Sequence, residues 1–242
     1  MKFTDARRAG WDTETTGPNP RTARIVTAAL IVRGAGKPDR AMSWLINPGI
    51  PIPEAAAAIH GISTEKAQTE GQDPAIALDE IATRLADAIR WGMPLVAFNT
   101  SFDWSVLHYD LARNNLPTMA DRLDGDPVTL IDPHVIDKQV DRYVKGSGMR
   151  KLKPTAERYG IEIKDWHTAD ADADAALRIA EAQFDIHSSL QNYTPEGLYA
   201  AQQAWRAEQQ TGLQEHFRKT DPTAVCDTEW PLVPAPVEEA RA

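Results

Sequence analysis

A chain of 242 residues with 42% hydrophobic and 25% charged residues has the composition of a folded globular protein, long enough for one sizeable core and an appendage. Its 35 acidic against 26 basic residues give a formal net charge of −9, which argues against a protein that coats nucleic acid by bulk attraction. Cys226 is the only cysteine, so an internal disulfide and a thiolate zinc cluster are excluded and any metal must be held by oxygen or imidazole.

In chain order, residues Met1 to Asp5 lack the apolar stretch of a signal peptide, and no later apolar run reaches the roughly 18 residues of a membrane span. A cytoplasmic protein without membrane contact is expected. Residues 8–11 read as a strand that carries Asp12 and Glu14 at its end, before a turn rich in Thr, Gly and Pro. Residues 25–32 and 41–46 are two more β-type runs, close enough for antiparallel hairpins. Apolar residues Ile76, Leu78, Ile81, Leu85 and Ile89 then recur at helical spacing over 74–91. Residues 95–98 and 128–131 read as short buried strands, with 103–114, 153–159 and 169 to about 190 as helices. Three strands followed by alternating helix and strand make an α/β domain with a mixed sheet. Thr194, Pro195 and Glu196 open a last helix that can run to about residue 219, so 191–220 is expected as a helical extension of a 1–190 domain. Residues 221–242, with Pro231, Pro234, Pro236, Glu238 and Glu239, read as a flexible acidic tail.

Asp12 and Glu14 stand two apart on one strand, so both carboxylates project from the same face, and paired oxygens of this kind suit a hard divalent cation. Alone, such a pair reads as two solvated acids before a turn. The run Asp12-Thr13-Glu14-Thr15-Thr16-Gly17 resembles the first motif of the DEDDh 3′-5′ exonucleases, the family of the epsilon proofreading subunit of bacterial replicative polymerases. Three further blocks resemble that family in order and spacing. They are Asn47-Pro48-Gly49 through Ile59-His60-Gly61-Ile62, then Asn99-Thr100-Ser101-Phe102-Asp103, then His167 with Asp172 and Ala173. The resemblance covers about Ala9 to Gln183. One departure is Trp11, where the family more often has a smaller or less polar apolar residue.

The resemblance implies a ribonuclease H-like five-stranded sheet flanked by helices, and a hydrolase that releases nucleoside monophosphates from a DNA 3′ end in proofreading or repair. It implies two Mg²⁺ or Mn²⁺ ions held by Asp12, Glu14, Asp103 and Asp172, with Asp12 shared between them and His167 taking the proton of the attacking water. The family's spacing from His167 selects Asp172 over Asp170 and Asp174, which otherwise suit a helix N-terminus. A loop position makes His167 movable and is expected to leave it poorly ordered without substrate. Thr13, Thr15 and Thr16 should meet the terminal nucleotide, with His60 and Phe102 beside its sugar and base; Thr16 and Phe102 read equally well as turn and core residues.

The implied partner is nucleic acid with a free 3′ end, single-stranded DNA favoured, and a DNA polymerase or clamp besides. Residues 210–217 are faintly similar to a sliding-clamp peptide, with poor spacing. Residues 145–153 form the most basic stretch, either a solvated loop or a contact for a strand's phosphates. Within the same chemistry an RNA-trimming enzyme is open, because carboxylates do not read the 2′-hydroxyl. From other classes, a polymerase-docking module and a small-molecule phosphatase are open; a wide groove lined by Lys145, Arg150 and Lys151 would favour a polymer over a small molecule.

Overall fold

The structure, a computed structural model, describes residues 3–163 and 167–235. After a 3-10 turn at Phe3–Asp5, the strands β1 (Arg8–Thr15), β2 (Ile25–Arg33) and β3 (Arg40–Leu45) form an antiparallel meander. Two short strands, β4 (Leu95–Val96) and β5 (Leu130–Ile131), add in parallel, giving one mixed sheet of order β3-β2-β1-β4-β5. β1 is central. β2 is apolar along nearly its whole length because helices cover both faces of the sheet, so its residues cannot alternate between core and water.

The helices are α1 (Glu54–His60), α2 (Thr64–Glu70), α3 (Pro74–Arg90), α4 (Thr100–Arg113) and α5 (Met119–Leu123). They are followed by α6 (Pro133–Val140), α7 (Leu152–Arg158), α8 (Ala169–Ile186) and α9 (Pro195–Phe217), with a 3-10 turn at Ser188–Asn192 before the last. Trp11 and Leu30 point to α3 and α4, where Leu78, Ile81, Leu85, Leu107 and Leu111 close the larger core. Ala29, Val96 and Ile131 point the other way, to Ala173, Leu177 and Ala180 of α8. Among the described residues no helix is long and apolar enough to cross a membrane.

One glycine sets how close α8 can come. A Cβ on Gly10 of β1 would lie 2.6 Å from the Leu177 side chain and 2.7 Å from the Ala173 carbonyl, so only hydrogen there lets the helix rest on the strand. Gly10→Ala should therefore cost about 1–3 kcal/mol of stability, measured as a shift of the urea midpoint. Gly17→Ala, with open space around the new carbon, should cost less than about 0.5 kcal/mol. Equal costs at the two positions would refute the close-approach argument.

Several boundaries differ from the sequence expectation. α4 begins at Thr100 rather than 103, because Asn99 takes a left-handed φ of 65° and starts the helix early. β4 and β5 keep only two residues each. Helices α1, α2, α5 and α6 add to those expected, although Ser63, Thr118 and Asp132 carry ordinary capping signals.

The flexible tail expected from 221 onward does not describe residues 221–235. Trp230 and Val233 are buried, the Val233 N–H donates to Ser105 Oγ at 2.8 Å, and the Tyr109 hydroxyl donates to the Val233 carbonyl at 2.9 Å. Arg21 ties Asp227 at 2.7 Å and the Pro234 carbonyl at 2.6 Å. Two apolar anchors among prolines hold the segment against α4 and α9 even though its composition reads as solvated. Pro236, Glu238 and Glu239 lie outside the described residues. Residues 210–217 are the end of α9, with Gln210 buried, so they carry no extended clamp-type peptide.

Candidate active site

Asp12 and Glu14 project from β1 on the face that α8 covers, two residues apart as strand geometry requires. α8 reaches that face because of Gly10, and its first turn carries Asp172 next to Ala173, the residue whose carbonyl meets Gly10. Ligand atoms of Glu14, Asp172 and His167 consequently lie within 4.8 Å of one another. Asp103 arrives from α4 on the other side of β1. Thr13, which alternates away from Asp12 and Glu14, holds it: the Thr13 hydroxyl donates to Asp103 Oδ1 at 2.6 Å and the Thr13 N–H at 3.0 Å, both in the interior. Asp12, Thr13, Glu14, His167 and Asp172 face a cleft of about 380 Å³ also lined by Phe98, Asn99, His134, Arg150, Lys151 and Leu152, and Asp103 lies behind Thr13.

The electrostatics of the set are those of anions short of a counterion. Burial, then the charges of Asp103, Asp172 and Glu14, push the Asp12 carboxyl well above the usual carboxylate range. Glu14 is pushed up to about 7 by burial, with Asp172 and Asp103 next. Asp103 also reaches about 7 through burial, although the hydrogen bonds from Thr13 hold it back. Asp172 is raised by burial and lowered again by the His167 side chain and backbone N–H. Among the described residues no lysine or arginine forms an ion pair with any of the four, and Asp172 Oδ1 is a buried acceptor without a hydrogen-bond partner. Oxygen donors gathered at this density, with an orphaned acceptor among them, fit hard divalent cations. The other late aspartates are otherwise engaged: Asp170 accepts from Ser43 at 2.6 Å, and Asp174 pairs with Arg33.

His167 is described, exposed, and in the left-handed region at φ 66°, just after residues 164–166, which lie outside the described residues. His60 ends α1, buried, with its Nδ1 accepting from the Ile62 N–H at 3.2 Å. Burial pushes its imidazole down, partly offset by the Thr15 backbone carbonyl. It shares with His167 a second cleft, of about 340 Å³, beside the acidic one. The remaining expected substrate contacts are tied to the protein itself. The Thr16 hydroxyl accepts from the Arg24 N–H at 3.0 Å, the Thr15 hydroxyl donates to the Gly17 carbonyl at 2.9 Å, and Phe102 packs on the core.

Of the basic stretch 145–153, Arg150 and Lys151 line the acidic cleft and Lys145 does not. Sequence reasoning missed His134 and Asn99, which also line it. Asn99 had a signal in the expected motif block. His134 had none, since it stands in an amphipathic helix far along the chain.

The sheet order defines a ribonuclease H-like fold, with a cluster of carboxylates near the C-terminal end of its central strand. The chain belongs to the Exonuclease (RNase_T) family, which it matches over residues 10–180, and its ordered acidic set is of the DEDDh type. It is 38% identical over 100 residues to a DNA polymerase III subunit epsilon-like protein of Rhodobacter capsulatus, which covers 40% of this chain and 13% of that protein. It is 31% identical over 104 residues to the 3′-5′ DNA exonuclease Cap18 of Escherichia coli, over 40% of this chain and 53% of the relative. Among solved structures it is similar to the zinc-bound E. coli ExoI–ssDNA complex, with a TM-score of 0.64 and 18% identity over 78% of this chain and 42% of that one. Exonuclease I from Methylocaldum szegediense gives a TM-score of 0.62 and 22% identity over 77% and 42%. The chain thus spans about half the length of these relatives or less, and the likeness to solved structures carries the fold.

Proposed function

We propose that the protein is a metal-dependent 3′-5′ exonuclease that releases nucleoside monophosphates from the 3′ end of single-stranded DNA. The observation that carries this reading is the convergence of Asp12, Glu14 and Asp172 on one cleft, with Asp103 behind Thr13 near enough for its charge to act on Asp12 and Glu14, and with no ion pair to any of the four among the described residues. Asp12, Glu14 and Asp172 would hold one Mg²⁺ or Mn²⁺ ion, and Asp12 with Asp103 a second. Bound there, such ions supply a water of lowered pKa and neutralise the charge gathering on the departing 3′ oxygen.

The chain's own residues do the rest. Thr13 fixes the Asp103 carboxylate by two hydrogen bonds, so that its oxygens are aimed before substrate arrives. The exposed His167 imidazole takes the proton of the attacking water, and Asp172 beside it stabilises the cation so formed. The terminal nucleotide lies toward His60, in the cleft that His60 and His167 share. The acidic cleft runs on past Arg150 and Lys151 instead of closing, which favours a polymer over a small monoester. The printed names of the relatives, a 3′-5′ DNA exonuclease and an epsilon-like protein, support DNA as substrate and proofreading or repair as the setting, with a DNA polymerase as partner.

The test is end-labelled single-stranded DNA and matched RNA incubated with the protein in Mg²⁺ or Mn²⁺, with EDTA beside it. Mononucleotides should leave the 3′ end, faster from DNA, and EDTA should stop their release. Faster release from RNA would make the enzyme an RNA-trimming one. No release from either polymer with either metal would refute the exonuclease reading.

A further inference from the structure

On the side away from His60 the acidic cleft opens into another of about 320 Å³, lined by His134, Lys138, Val144, Gly146, Gly148, Arg150 and Lys151. His134, Arg150 and Lys151 line both, so the two are continuous. Among the described residues no carboxylate lines this space. Asp137 accepts from Arg150 at 2.6 Å and from Arg158 at 2.7 Å, so one carboxylate serves two guanidinium groups and a positive charge is left over. Lys138 and Lys151 make no ion pair among the described residues. Arg206, buried nearby in α9, adds a further cation without an ion pair among the described residues. Burial and then Arg206 press the Lys138 ammonium down to about 8, with Asp132 and Asp137 acting against them, and an anion in the cleft would favour its charged form. His134 has a buried Nδ1 without a hydrogen-bond partner among the described residues.

The chemistry of strand cleavage says which anion belongs here. A nucleotide leaving a 3′ end takes only the scissile phosphate with it, and every other phosphate belongs to the strand that stays. Of the two clefts that flank the acidic centre, the one toward His60 is assigned to the terminal nucleotide, which leaves the cationic one for the retained strand. Resting on the exonuclease reading, we propose that Lys138, Arg150 and Lys151, with His134 at the junction, form a subsite for the first backbone phosphates upstream of the scissile bond. A chain of net charge −9 thereby confines its attraction for the strand to the one stretch where a phosphate must be placed.

The experiment moves a single neutral methylphosphonate linkage stepwise upstream from the scissile bond of a single-stranded oligonucleotide. KM and kcat of nucleotide release are measured for the wild-type protein, Lys138→Gln and Lys151→Gln. One upstream position should raise the wild-type KM on the order of tenfold, the worth of a charge-assisted contact, with a much smaller change in kcat. Lys138→Gln should raise KM similarly on the unmodified strand, and at that position the neutral linkage should add almost nothing more. The log–log salt dependence of KM should flatten by about 0.7 for each cation removed. A KM that ignores the neutral linkage at every position, or penalties that simply add in both variants, would overturn the subsite while leaving the exonuclease standing. Absence of release from the unmodified strand by the wild-type protein would instead remove the reading on which the subsite rests.

Discussion

Asp12→Asn should lower nucleotide release by at least about 10³-fold and, in the absence of metal, should make the protein more stable. The first effect follows from position. Asp12 lies between the Glu14–Asp172 side of the site and Asp103, and the charges of all three act on its carboxyl. No neighbouring carboxylate can take its place. The second follows from the repulsion these groups experience without an ion. Glu14 and Asp103 both titrate at about 7, far above the unfolded carboxylate range near 4, so the folded metal-free protein holds protons that the unfolded chain has released. A carboxyl raised in this way contributes stability below its unfolded pKa and loses it as pH rises through the folded value. The metal-free protein should therefore weaken between about pH 4 and pH 7. Removing one of the crowded charges relieves part of that loss. Melting in EDTA should show Asp12→Asn a few degrees above wild type at pH 8 and little different at pH 5. Mg²⁺ or Mn²⁺ should then stabilise the wild type at pH 8 more than the variant. Release within tenfold of wild type would refute the role of Asp12 in the chemistry. A variant melting below wild type at pH 8 in EDTA would refute the electrostatic account of the site.

Much of this site was legible because it rests on local rules. Period-two geometry alone puts Asp12 and Glu14 on one face, and a helix beginning at about 169 puts Asp172 in its first turns. The three-stranded meander was legible for the same reason, with short loops joining alternating or continuous apolar runs. What the sequence hid depends on contacts between distant segments. Asp132 reads locally as the cap of a short helix, yet its carboxylate also holds Asn99 and Thr100, more than thirty residues earlier. His134 and Lys138 read as positions on an amphipathic helix, and only the fold brings them beside residues 150–151. Thr15 and Thr16 read as substrate contacts because the motif that contains them is a family pattern. Their hydroxyls are engaged in closing the turn after β1. The segment 221–235 was obscured by averaging, since its prolines and acids outnumber the two residues, Trp230 and Val233, that anchor it.

Asp132→Ala should cost at least about 3 kcal/mol of stability, although Asp132 is not among the residues assigned to metal or substrate. Its carboxylate, 1% exposed, accepts from the Asn99 N–H at 2.9 Å and the Thr100 N–H at 3.0 Å, which start α4, and from the His134 N–H at 3.0 Å, which starts α6. The Val135 N–H and the Trp230 indole N–H, each at 3.4 Å, complete the set. Burial pushes this carboxyl up, and the Asn99 N–H, the Arg206 charge, the His134 N–H and the Trp230 indole hold it back. Alanine would strand several buried donors at once, each costing about 1–3 kcal/mol where water cannot reach it. The loss should extend to function, since Asn99 lines the acidic cleft and α4 carries Asp103 one turn later. The Asp132 N–H itself donates to Gln202 of α9 at 2.7 Å, so the helix beyond the family match and the segment that carries Trp230 both converge on this residue. Urea unfolding of Asp132→Ala measures the first effect, and nucleotide release well below its midpoint measures the second. A cost under about 1 kcal/mol would mean that water or a rearranged backbone satisfies the donors, and Asp132 would then be only a helix cap.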